Sequence, residues 1–95
     1  MPVFHVDYTY DPDSASVRDE HRPAHRAYFR TLFDDGRLLF IGPFVDGSGA
    51  ALMLVAADEE AVRELLANDP FVERDAVSAI RVTEWRQVLG PFGDT

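Results

Sequence analysis

The groups in this 95-residue chain that can move a proton are three histidines, three tyrosines and the Asp and Glu side chains, since lysine and cysteine are absent. No lysine Schiff base can form, and there is no thiolate nucleophile, disulfide or Cys-based zinc site. With a few hydroxyls beside these groups, the short list favours proton transfer. The most informative candidate is His25. Read as a helix, Arg22 to Phe33 puts Ala24, Tyr28, Phe29, Leu32 and Phe33 on one half of the wheel, with His25 near their middle and Arg26, Arg30 and Asp34 opposite. An inward imidazole is either a hydrogen-bonded core residue or a general acid/base, and the second role needs a carboxylate to fix its tautomer and steady the imidazolium. Asp69, in the loop after the next helix, is the candidate partner. Standing before Pro70, it also suits an N-cap, so its residue type fits either role.

Around this pair, Arg22 can place a guanidinium at the mouth of a pocket and hold an anionic or phenolate oxygen. Tyr8, Gly42 and Phe44 complete the expected substrate-binding set. Gly42, in Gly42-Pro43-Phe44, allows close approach of a ligand or ends a strand. Tyr8, with Tyr10, Phe29 and Trp85, lines an aromatic pocket or packs the core. His21 and His25 have the four-residue spacing of metal ligands on a helix. Pro23 is expected to place His21 outside the helix, and no motif supplies a third ligand, so no metal is expected. His5 and Asp7 share one strand face and suit polar contacts at an interface or sheet edge. Gly47-Ser48-Gly49 lies between two strands and reads as a hairpin turn, not a nucleophile elbow.

The elements that must position these groups are legible from periodicity. Val3 to Tyr10 alternates as a strand, with Phe4, Val6, Tyr8 and Tyr10 on one side. After Asp11-Pro12-Asp13-Ser14 a loop or short turn leads to Pro23, read as the first helical residue, and Gly36 as the left-handed cap. Strands over Arg37 to Phe44 and Ala50 to Ala57 make a hairpin. Asp58 caps a helix over Glu59 to Ala67, Pro70 to Arg74 forms one further turn, and Val77 to Trp85 is the fourth strand. The order βαββαβ predicts an α+β ferredoxin-like sandwich, a single domain over 1–95 with its core in 2–85 and a tail from 86 to 95.

A chain this short buries only about 60 to 65% of its unfolded surface, so its core is modest. Leu38 to Ile41 and Ala50 to Ala57 are apolar at consecutive positions, which predicts burial on both sheet faces, while one chain has helices for only one. A second copy is the expected cover, giving a homodimer. The net charge of −8 disfavours nucleic acid and anionic membrane surfaces. No apolar run suits a membrane span or a secretory signal, and the expected location is cytoplasmic.

Arg22-Pro23-Ala24-His25 opening a helix, Gly36-Arg37-Leu38-Leu39 running into Gly42-Pro43-Phe44, Asp69-Pro70-Phe71 and a Trp closing the fourth strand together resemble the YciI-like (YCII-related) family over residues 2–85. The resemblance implies a dimeric α+β barrel and a pocket with a paired His and Asp, matched here by His25 and Asp69. Relatives include a dehydrochlorinase acting on a chlorinated hydroxyquinol, and the fold is shared with muconolactone isomerase. The polar His5/Asp7 face and the tail beyond Trp85 are this chain's departures. The function expected is a small cofactor-independent lyase or isomerase acting on a small hydroxylated aromatic or lactone. The alternative is a non-catalytic small-ligand-binding or accessory module.

Overall fold

The computed structural model describes residues 1–92; the last three residues of the tail expected over 86–95 lie outside the described residues. The elements run β1 (Val3–Tyr10), α1 (Ala15–Asp34), β2 (Leu38–Pro43), β3 (Gly49–Val55), α2 (Glu59–Ala67), α3 (Pro70–Glu73) and β4 (Val77–Trp85). The strands form one antiparallel sheet in the order β2-β3-β1-β4. This is the expected ferredoxin-like α+β arrangement, with β1 and β3 central. No helix among the described residues is long and apolar enough to cross a membrane.

Alternation in β1 turns Phe4, Val6, Tyr8 and Tyr10 toward the helices, and all four are buried. Opposite them in register lie Leu54, Leu52 and Ala50 of β3. His25, Phe29 and Leu32 of α1, Val62 and Leu66 of α2 and Phe71 of α3 close the core from the other side. Spacing by three or four residues gives each helix one buried stripe. On α1 that stripe is narrower than the sequence predicts, since Ala24 and Phe33 lie outside it and are exposed.

The main departure from expectation is the start of α1. The helix begins at Ala15, so Pro23 sits inside it and the Ala15–His21 segment is helical. An internal proline removes one backbone hydrogen bond and crowds the preceding turn, at a cost of about 3 kcal/mol. Contacts on the early turns offset that cost. Asp11 Oδ1 accepts from the Asp13 N–H and Ser14 Oγ donates to the Asp11 carbonyl, which nucleates the start. Val17 packs against the core, and the Arg18 guanidinium lies over the Tyr10 ring at 4.2 Å. His21 is therefore on the same helix as His25, one turn earlier, rather than outside it. Among the described residues no cluster of three His, Cys, Asp or Glu side chains could hold a metal ion.

Gly36 has φ +77° and lets the chain leave α1 toward β2. Gly49 faces β1 so closely that an added Cβ would collide with the Tyr8 carbonyl. Its lack of a side chain therefore helps to set where β1, and Tyr8 with it, lies. The second sheet face is not left bare by its own chain. Phe92 of the tail bridges the two edge strands, with its ring centroid 5.9 Å from Phe40 and 6.3 Å from Trp85. Val3 and Met53, on that face, are each 3% exposed within the one chain.

Candidate functional site

The α2–α3 junction supplies the acid. Asn68-Asp69-Pro70 ends α2, and Pro70, lacking an N–H, opens α3 with Asp69 as its N-cap. Asp69 Oδ1 accepts from the Phe71 N–H at 3.0 Å and also from His25 Nδ1 at 2.7 Å, so cap and partner are one oxygen. The Tyr8 hydroxyl donates to the other oxygen, Oδ2, at 2.8 Å. Asp69 is 0% exposed. A buried carboxylate needs such pairing, and three donors converging on it match an acceptor-only group.

That geometry sets the histidine. With Nδ1–H donating to Asp69, Nε2 carries the lone pair. Phe71 stacks on one face of the imidazole, centroids 3.8 Å apart and planes 7° apart, and Phe29 meets it edge-on at 5.0 Å. His25 is 9% exposed. Among the described residues Nε2 has no partner, yet no buried side-chain nitrogen or oxygen lacks one, so Nε2 is open to accessible space.

Two cavities meet at this ring. The larger, about 540 Å³, runs between α1 and the edge strand β2, with Phe29, Phe33, Phe40 and Gly42 in its walls. That volume lies within the range of small-molecule sites. The smaller, about 120 Å³, is lined by His25, Tyr10, Phe71 and the arginines Arg18, Arg22 and Arg26. The register of β2 shifts between Leu38 and Phe40, a local irregularity of the kind common beside binding sites. Burial raises the Tyr8 phenol well above its ordinary range, and the Asp69 charge raises it further. Burial likewise raises Tyr10, with Arg18 pulling it back.

The structure brings some expected residues together and not others. His25 and Asp69 are in contact, Arg22 lines the smaller cavity, and Gly42 lines the larger. An added Cβ at Gly42 would meet nothing within 4 Å, so the missing side chain is not what opens room there. Tyr8 is 1% exposed and spends its hydroxyl on Asp69; it stands behind the acid rather than in either cavity beside His25. Phe44 follows β2 and lines a separate hollow with Asp7, Tyr8, Thr9 and Arg81, one that His25 does not line. Trp85 packs on the far sheet face with Phe92. Phe71, Arg18 and Arg26 are the neighbours that sequence reasoning missed. An unbroken helix through Pro23 would have put Arg18, Arg22 and Arg26 in one row, and that spacing was the available signal.

A ferredoxin-like α+β domain with a buried His–Asp pair opening onto a cleft is the class of protein that this fold and site define. The chain belongs to the YCII-related domain family, whose pattern matches residues 3–86. Among solved structures it is similar to 5-chloro-2-hydroxyhydroquinone dehydrochlorinase (TftG) of Burkholderia phenoliruptrix AC1100, in complex with 2,5-dihydroxybenzoquinone. That match has 26% identity over 88% of this chain and 93% of that one, with a TM-score of 0.79. Rv0793 of Mycobacterium tuberculosis shares the fold at 15% identity over 95% of this chain and 98% of that one, TM-score 0.57. PA3566 of Pseudomonas aeruginosa does so at 11% identity over 93% and 95%, TM-score 0.58. No curated protein matches the chain by sequence.

Proposed function

We propose that this protein is a cofactor-independent lyase or isomerase that moves a proton on a small hydroxylated ring or lactone. His25 is the general acid/base, Asp69 its orienter and Arg22 a substrate clamp. The observation that carries the reading is the 2.7 Å His25–Asp69 contact in a histidine that lines two cavities and keeps Nε2 accessible. Asp69 holds the ring so that Nε2 accepts a proton, and its charge steadies the imidazolium that results. For an elimination of HCl, the proton goes to Nε2, the electron pair it leaves moves into the ring system, and chloride departs. No oxidant or reductant is required. The likeness to a dehydrochlorinase in complex with a dihydroxyquinone supports a substrate of this kind.

A homodimer belongs to the same proposal. The second sheet face keeps Phe40 and Trp85 part-exposed around the Phe92 strap, with His5 and Asp7 beside them, and suits a second copy.

The test is chloride release from chlorinated hydroxyquinols and proton exchange on related lactones, with His25→Ala beside the wild type. General base catalysis contributes roughly 10²- to 10⁴-fold, and the variant should lose that much while staying folded. Full activity in His25→Ala on a turned-over substrate would remove the base from the mechanism. Binding of 2,5-dihydroxybenzoquinone at His25 without turnover of any such substrate would favour the non-catalytic binding module.

A further inference from the structure

Arg18, Arg22 and Arg26 follow one another at four-residue intervals on α1, and all three line the smaller cavity beside His25. Like charges at that interval repel along a helix, so the row is unfavourable unless something negative meets it. The chain has seventeen acidic residues against nine basic ones, yet no carboxylate lines this cavity. Asp69 is sealed behind the imidazole and spends both oxygens on donors already named.

Two of the guanidiniums are held in place. Arg18 lies over Tyr10 and its Nε donates to Ser14 Oγ at 3.0 Å, while its terminal nitrogens form no hydrogen bond among the described residues. Arg22 Nη1 donates to Asp19 Oδ1 at 2.6 Å. Arg26 has no acidic or hydrogen-bonding partner among the described residues. The remaining walls include the rings of Tyr10 and Phe71 and the side chain of Ile41. The volume of about 120 Å³ is below the roughly 150 Å³ that takes one benzene, so this hollow suits an anionic group, while His25, Arg26, Ile41 and Pro43 also line the larger cavity where a ring fits.

The geometry points to a carboxylate subsite: Arg18, Arg22 and Arg26 hold the anionic end of a small planar acid in the smaller cavity, with its ring in the adjoining larger one and its reacting atom at His25 Nε2. This rests on the acid/base reading of His25 and, among its ring or lactone substrates, ranks those that carry a carboxylate above neutral ones. Guanidinium forks match carboxylate oxygens in pairs, and Arg18 and Arg22 are half-buried while Arg26 is exposed at the mouth. The protein's overall negative charge repels anions at long range, so recognition is local and depends on this row.

The test is calorimetric titration of the full chain with 2,5-dihydroxybenzoate, its methyl ester and inorganic phosphate. The acid should bind about tenfold more tightly than the ester, the worth of one charge-assisted contact, and salt should narrow the gap. Arg26→Ala should remove most of that preference without changing ester binding, Arg26→Lys should restore part of it, and Arg22→Gln should weaken binding of the acid more than of the ester. Arg63→Ala, on α2 and paired with Glu59, should change nothing. His25→Ala should keep the acid-over-ester preference, so loss of proton transfer and loss of the subsite are read separately. Equal binding of acid and ester, binding of neither, or tighter binding of phosphate would overturn the proposal.

Discussion

Phe71 is tied to His25 twice: its ring stacks on the imidazole at 3.8 Å, and its backbone N–H bonds the Asp69 oxygen that receives His25 Nδ1. One residue thus sets both the plane of the histidine and the position of its acid. Preorganisation of this kind comes from packing and hydrogen bonds fixed before any ligand arrives. It also couples the site to the fold, because the α3 cap and the candidate dyad are the same oxygen.

Asp69→Ala should therefore damage stability first. It leaves the His25, Phe71 and Tyr8 donors in a buried space without their acceptor and removes an N-cap, at about 3–5 kcal/mol in all. That is a large share of the 5–15 kcal/mol of a typical domain. Asp69→Asn should behave differently. Its carbonyl can keep the two donors on Oδ1, and the Tyr8 hydroxyl can turn to accept from the new amide. Urea unfolding should show Asp69→Asn folded and Asp69→Ala largely not, with turnover reduced in Asp69→Asn because the charge beside the imidazolium is gone.

Tyr8→Phe isolates the support behind the acid. It leaves Asp69 Oδ2 buried with no donor and should cost about 1–2 kcal/mol at neutral pH. The pH dependence has a definite sign. The Tyr8 phenol is raised by burial and then by Asp69, so it stays protonated in the folded chain while the unfolded chain ionises from about pH 10. The contribution is complete below that pH and falls as pH rises, by about 1.4 kcal/mol per unit for one tyrosine. Tyr10 and Tyr28 are also raised by burial and keep part of the slope in the variant. The chain has no lysine to titrate in the same window. Urea midpoints across the alkaline range should show wild type and Tyr8→Phe converging; parallel curves would mean that Tyr8 ionises as freely folded as unfolded.

Pro23→Ala should stabilise the protein. Alanine restores the N–H that the interior of α1 lacks and relieves about 3 kcal/mol of crowding and lost bonding, while greater freedom of the unfolded chain returns about 1 kcal/mol. A net gain of roughly 2 kcal/mol in denaturant unfolding is expected. No gain would mean that the early turns of α1 already relax around the proline.

Pro23 also marks where sequence reading ran out. The bounds of β1, α2 and β4 followed from alternation and from the Asp58 cap, whose side chain accepts from the Ala61 N–H. Local chemistry was enough there. The early turns of α1 carry little apolar periodicity, and what secures them is tertiary: Val17 in the core and Arg18 over Tyr10. A local rule about proline could not anticipate either. The His25–Asp69 pair was legible because an inward imidazole needs a partner and an Asp before Pro sits on a helix cap. The role of Tyr8 was not, since alternation gives its face but not the reach of its hydroxyl to a residue 61 positions away.

Phe92 gives the last prediction. Its ring lies between Phe40 on one edge strand and Trp85 on the other, covering a face where a second copy was expected to sit. Phe92→Ala should therefore act on both stability and association. Removing a part-buried aromatic that bridges two strands should cost about 1–2 kcal/mol, at the lower end for large-to-small changes because the site is not sealed. The uncovered Phe40 and Trp85 would then form a larger apolar surface, which favours self-association. Light scattering coupled to gel filtration should show a higher associated fraction for Phe92→Ala than for wild type at equal concentration. A lower fraction would instead mean that Phe92 belongs to the interface between copies, with the tail contributing to the contact rather than shielding it.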